Sequence, residues 1–324
     1  MRIIAVTALA ALIAGSAEAQ SRNLIFVSNE GSNDISVIDT RSGYRKTIPV
    51  GSRPRGIAVS PDGKRVYAAL SDNVPNKESG GDRIAVIDVA SGKVIARHAS
   101  GSDPEQFGVT PDGKILYASN EDAGVASAID LRTGKVLATM VVGIEPEGVA
   151  VSPDGRWVYV TAETSNSVSV IDTRTNEVVS TFLVDVRPRA AVFSPDGRRA
   201  YVSAELGGSI NVVDARNHQV IGTIHLERGE GKPVGVAVSS DGRWLYAANG
   251  RSNSVSVIDL GRNAVVASIP VGRRPWGIAI SRDGRELYTA NGLSNDVSVV
   301  DIASRKVVRS IKVGTRPWGV ATAR

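Results

Sequence analysis

The sequence predicts an all-β chain: a seven-bladed β-propeller of four-stranded blades, closed by the C-terminal strand pairing with the N-terminal three. Three observations predict it. A proline recurs at Pro54, Pro104, Pro146, Pro188, Pro233, Pro275 and Pro317, with successive spacings of 50, 42, 42, 45, 42 and 42 residues. Between consecutive prolines lie four short runs rich in β-branched residues, each bounded by turn residues. The last copy, "RPWGVATAR", stops after one run, and the chain near its start carries three runs with no first.

Residues 1–19 are read apart from the fold. Arg2, the apolar "IIAVTALAALIAG" and the small-residue "AEA" before Gln20 have the layout of a signal peptide cut after Ala19. That leaves residues 20–324 as one propeller domain of about 305 residues, exported to the periplasm, with no membrane span after cleavage.

The unit after Pro146 shows the plan: "GVAVS", "WVYVTA", "SVSVID" and "VVSTFLV" are its four strands. The "SPDG" between the first two places Pro at the second and Gly at the fourth position of a type I turn. Asp154 there, like Asp62, Asp112, Asp196, Asp241 and Asp283, reads as a turn residue that bonds its own backbone, not as a calcium ligand. Repeats of about 40 residues with four strands each are the mark of a propeller. Joining the lone C-terminal strand "WGVATA" to the three runs of "NLIFVSNEGSNDISVIDTRSGYRKTIPV" completes the ring and leaves no open edge.

Composition narrows the chemistry. The absence of cysteine excludes disulfides, thiolate metal sites, c-type haem attachment and cysteine nucleophiles together. A net charge of +5, spread without a basic run, argues against a nucleic-acid partner.

The second-strand sequences "YVTAE", "YASNE", "YVSAE" and "FVSNE" resemble the YVTN β-propeller repeat family. With "EDAG", "EPEG", "VRPR", "TANGLSNDVSVVD" and the terminal "RPWGVA", the chain closely resembles one subgroup, the β-propeller protein associated with pyrroloquinoline quinone (PQQ)-dependent alcohol catabolism. That resemblance covers the mature chain. It implies a genomic setting beside quinoprotein dehydrogenases, c-type cytochromes and an ABC transporter, with a periplasmic quinoprotein dehydrogenase, a c-type cytochrome or a transporter component as the expected partner, and carries no known active-site residues with it.

Antiparallel strands put the start of each first strand and the end of each second strand on one face. The residue after each proline therefore rings the channel mouth: Arg55, Glu105, Glu147, Arg189, Val234, Trp276 and Trp318. Second-strand ends add Glu30, Glu121, Glu163 and Glu205, with Asn29, Asn120, Asn249 and Asn291. The two longest departures from the repeat, "SDNVPNKESGGDR" and "ERGEGKP", join strands on the same face, where repeat proteins vary their binding loops. Trp276 and Trp318 are expected to form an exposed aromatic shelf beside Arg55 for a small aromatic or quinone-like acid, opposite a carboxylate cluster. Trp157 and Trp244, at the other end of their blades, are expected to be packing residues.

His98 and His225 fall on outermost strands and His218 just before one, so no histidine is placed to act as a central base. The expectation is a monomeric, non-catalytic binding or scaffold protein; the residues specify no cofactor. The alternative is a metal-assisted hydrolase or lyase using the mouth carboxylates.

Overall fold

The computed structural model describes residues 24–72, 80–226 and 231–323. The expected signal peptide, most of "SDNVPNKESGGDR" and the start of "ERGEGKP" lie outside the described residues. Among the described residues no helix is long and apolar enough to cross a membrane.

The strands, β1 to β28 in chain order, form seven four-stranded antiparallel sheets. Blade 1 holds β1 (Leu24–Asn29), β2 (Asp34–Asp39) and β3 (Gly43–Pro49), with β28 (Pro317–Thr322) paired to β1 as its innermost strand. Each later blade runs outward in chain order from its proline. The innermost strands are β4 (Pro54–Val59), β8 (Pro104–Val109), β12 (Pro146–Val151), β16 (Pro188–Phe193), β20 (Pro233–Val238) and β24 (Pro275–Ile280). β28 packs between β24 and β4, so the ring is closed as the truncated repeat predicts.

The blades join through seven apolar seams, each drawn from two neighbours. Tyr159, Val168 and Val170 of blade 4, for example, pack on Phe193, Ala200 and Val202 of blade 5. Second and third strands are consequently buried on both faces, while an outermost strand such as β15 (Glu177–Leu183) alternates exposed and half-buried residues. Near the axis the strands approach backbone to backbone. A Cβ on Gly148 would stand 2.5 Å from the Arg189 carbonyl, and one on Gly235 2.4 Å from that of Trp276, so only glycine fits there.

The turn aspartates behave as read. Ser152 Oγ donates to Asp154 Oδ1 at 2.6 Å, and the Arg156 N–H donates to the same oxygen at 3.0 Å. The pattern repeats at Asp62, Asp112, Asp196, Asp241 and Asp283. The hydroxyl bond, more than any other contact, holds these carboxyls below their ordinary range, at Asp154 against an opposing effect of burial. A depressed folded-state pKa stabilises above the unfolded value, about 4, and that gain is lost as pH falls through the folded values. Changing Asp62, Asp154 and Asp196 together to Asn should therefore flatten the fall in melting temperature between pH 5 and roughly pH 3. An acid limb as steep as the parent's would show that these turns do not matter to acid stability.

Candidate functional site

In every blade the residue after the proline sits in a β-bulge. The ladder between the first two strands shifts register between Pro54 and Ile57, Pro104 and Phe107, Pro146 and Val149, Pro188 and Ala190, Pro233 and Val236, and Pro275 and Ile278. In blade 1 the same shift falls opposite Ser28 and Asn29. A bulge bends its strand and re-aims one side chain, and here it carries Arg55, Glu105, Glu147, Arg189, Val234, Trp276 and Trp318. Hydroxyls on second strands fix several of these from the neighbouring blade. Ser28 Oγ donates to the Arg55 carbonyl at 2.5 Å, Ser119 to that of Glu147 at 2.6 Å and Ser203 to that of Val234 at 2.7 Å.

The charges are paired across blades. Arg55 Nη1 contacts Glu105 Oε1, its Nε lies 3.1 Å from Glu30 Oε1, and Nη1 is 3.8 Å from Glu121 Oε2. Arg189 Nη1 is 2.9 Å from Glu147 Oε1 and contacts Glu163, and its Nε is 3.9 Å from Glu205 Oε2. Glu105, Glu147, Glu163, Glu205 and Arg189 are all buried. The bridges join blades 1, 2 and 3 in one network and blades 4 and 5 in another, which Arg251 and Arg274 extend through Glu205 to blades 6 and 7. Glu121 is the least settled carboxyl: burial, then the charges of Glu147 and Asp103, push it up to about 7.

Two expectations are corrected. Asn249 and Asn291 are not on the open face. They are 2% and 0% exposed and turn back into their blades, where Asn249 Nδ2 donates to Ser256 Oγ at 2.9 Å and Asn291 Nδ2 to Ser298 Oγ at 3.0 Å. The hydroxyls of the third strand accept from amide N–H groups that would otherwise be buried unpaired, though Asn249 Oδ1 has no hydrogen bond among the described residues. Nor do the tryptophans form an open shelf beside Arg55. Their rings stack at 6.2 Å between centroids, but Trp318 is buried and only Trp276 is half-buried. The guanidiniums on Trp276 are those of Arg274, 4.5 Å from its centroid, and Arg189, at 5.2 Å. Beneath them a cavity of about 170 Å³ is lined by both tryptophans, Val234, Ile278, Val320 and Gln106.

One set of residues was missed. The residue before each proline is charged in all seven units, and that regularity was readable. Arg53, Asp103, Glu145, Arg187, Arg274 and Arg316 all adopt left-handed backbone, with φ between 42° and 63°. All but Arg53 accept, at the carbonyl, the N–H that follows a second strand, as from Glu121 to Asp103 at 3.0 Å and from Glu205 to Arg187 at 2.8 Å. Non-glycine residues held in this region cost energy and gather at functional sites. These form a second ring: Arg187 Nε is 2.6 Å from Glu163 Oε2, and Arg274 Nη2 is 3.8 Å from Glu205 Oε1.

The three histidines lie where expected, His98 on β7 (Lys93–Ala99), His225 at the end of β19 (Gln219–His225) and His218 just before it. His218 Nδ1 shares a 2.7 Å hydrogen bond with the Tyr159 hydroxyl and packs edge-on against Trp157. Trp157 and Trp244 join the apolar seams, as packing residues should.

Fold and site together define a closed seven-bladed propeller with ion pairs bridging its blades and a stacked tryptophan pair on its innermost strands. Over residues 6–183, more than half its length, the chain matches the choice-of-anchor I domain, and it belongs to that family. Residues 226–324 match the YNCE-like β-propeller. A stretch of 76 residues is 43% identical to Antigen Lp49 of Leptospira interrogans, covering 23% of this chain and only 16% of that relative. Hydrazine synthase of Kuenenia stuttgartiensis has a similar structure, with a TM-score of 0.78 at 23% identity over 87% of this chain and 93% of the other. So has a functionally unknown protein from Desulfotomaculum acetoxidans, with a TM-score of 0.80 at 19% identity over 93% and 99%. At such identities the likeness is one of fold.

Proposed function

We propose that this chain is a non-catalytic periplasmic binding protein that takes a small aromatic or quinone-like carboxylic acid at the channel mouth, in the service of a PQQ-linked oxidation or export system. The observation that carries the reading is Trp276: a half-buried indole, backed by Trp318, with two guanidiniums within about 5 Å of its ring and a small cavity beside it. An aromatic ring lies along the indole and its carboxylate meets Arg274, whose closest acidic neighbour, Glu205, is 3.8 Å away. The resemblance of the repeats to the PQQ-associated propellers supplies the setting, and the distance of the histidines from the mouth favours binding over acid–base catalysis.

Stacking contributes on the order of 1 kcal/mol beyond area burial, and a charge-assisted hydrogen bond about 1.5–3 kcal/mol. With about 1.4 kcal/mol per decade of affinity, Trp276→Ala and Arg274→Ala should each weaken binding of PQQ or an aromatic carboxylate about tenfold. Tryptophan fluorescence on the parent and melting shifts on all three proteins read this out. Failure of every such acid to bind the parent, or unchanged affinity in Trp276→Ala, would sink the reading.

A further inference from the structure

Four blades place a glutamate directly after the second strand: Glu30, Glu121, Glu163 and Glu205. Of the four arginines that precede a proline, three pair with such a glutamate in their own blade or the one before. Arg53 and Arg316 reach Glu30 of blade 1, and Arg187 reaches Glu163 and Glu205 of blades 4 and 5. Arg274 is the exception, because the equivalent positions of blades 6 and 7 are Gly250 and Gly292. Its guanidinium stretches instead toward Glu205 of blade 5, where Nη2 stops 3.8 Å from Oε1. Arg251, next to Gly250, stops 3.9 Å from the same oxygen. Both distances exceed hydrogen-bond length, about 2.7–3.2 Å, and neither guanidinium makes a hydrogen bond among the described residues. Glu205 is shared further, since Arg187 and Arg189 approach its Oε2 at 3.4 and 3.9 Å. Burial, then the charges of Arg251, Arg189 and Arg187, hold Arg274 below its ordinary value although Glu205 opposes them.

We propose that the ligand's carboxylate fills the place of the glutamate that blade 6 lacks, bound jointly by Arg274 and Arg251. This deepens the aromatic-acid reading and rests on it: Arg251 becomes a second binding residue, and Gly250 the residue that keeps the place open. The charge count agrees. In their ion pairs Arg187, Arg189, Arg251 and Arg274 share three carboxylates, those of Glu147, Glu163 and Glu205, so one more carboxylate balances the group. Room exists for it beside the backbone. A Cβ on Gly250 would stand 3.6 Å from Arg274 Nε and 3.4 Å from the Pro275 carbonyl, which are ordinary contacts.

Calorimetric titration of the full chain with quinaldic acid, a fused-ring aromatic carboxylate, and with its uncharged amide tests the proposal. The parent should bind the acid about tenfold or more tightly than the amide, as a charge-assisted pair of hydrogen bonds requires. Arg251→Gln should weaken the acid about fivefold or more and leave the amide within about twofold. Gly250→Glu supplies the absent carboxylate from the protein itself. It should weaken the acid about tenfold or more while the melting temperature holds or rises, which separates a filled site from a damaged one. Arg273→Gln, the same loss of charge one residue from Arg274, should stay within about twofold of the parent. Should Gly250→Glu fold poorly, Arg251→Gln decides, its side chain being 55% exposed. Parental affinity for the acid in Arg251→Gln overturns the proposal and leaves the aromatic-acid reading standing. Failure of the parent to bind either probe brings both down.

Discussion

Removal of residues 317–324 should convert a cooperatively melting chain into one that aggregates. β28 is the innermost strand of blade 1. It pairs with β1 along Phe26↔Ala321, Val27↔Val320 and Ser28↔Gly319, and its flanking residues bond the N–H groups of Glu30 and Gly31. Without it that edge of β1 is open, a template for pairing with other chains. Two seams lose members as well, since Ala321 packs with Phe26 and Val59, and Val320 with Tyr288 and Val297. Trp318 goes with them. A buried Trp covers on the order of 200 Å² and a buried valine is worth about 1.5–3 kcal/mol, so at about 25 cal/mol/Å² the loss is about 7 kcal/mol before any hydrogen bond is counted. That is comparable with the whole net stability of a typical domain, about 5–15 kcal/mol. Calorimetry and size-exclusion chromatography measure the outcome. A monomeric truncated chain melting within a few degrees of the parent would refute the clasp.

The clasp was legible because it is written in order along the chain: seven prolines, six full units and a remainder. The identity of the mouth residues was legible for the same reason, since a repeat puts equivalent residues in equivalent places. Their surroundings were not. Arg189 reaches Glu147 and Glu163 from a different blade, and Trp276 lies under an arginine two blades away, across that of Val234. Spacing within one unit says nothing about such neighbours. Asn249 and Asn291 illustrate the same limit: their positions point to the open face, but serines five or seven residues on, in the third strand, draw their amides inward. Trp318 is buried because Gly319 lets its strand lie against the Arg55 carbonyl, a contact between the two ends of the ring.

Arg189 is the residue whose loss should cost most among the side chains of the mouth. It is 7% exposed at the side chain and holds three carboxylates that are at least as buried. Arg187 also reaches Glu163 and Glu205, but Glu147 has no other ion pair among the described residues. Arg189→Met keeps much of the apolar stem and deletes the charge. Breaking a buried pair by removing one partner costs about 3–5 kcal/mol, because the remaining charge stays desolvated and unpaired. For a chain of this size that corresponds to a fall in melting temperature of about 5–8 °C. Adding Glu147→Gln to Arg189→Met should recover a large part of the loss, whereas two independent sites would simply add their costs. A single variant melting within about 2 °C of the parent, or a double variant no better than the single, would mean that water reaches this network and that the arginine holds nothing in place.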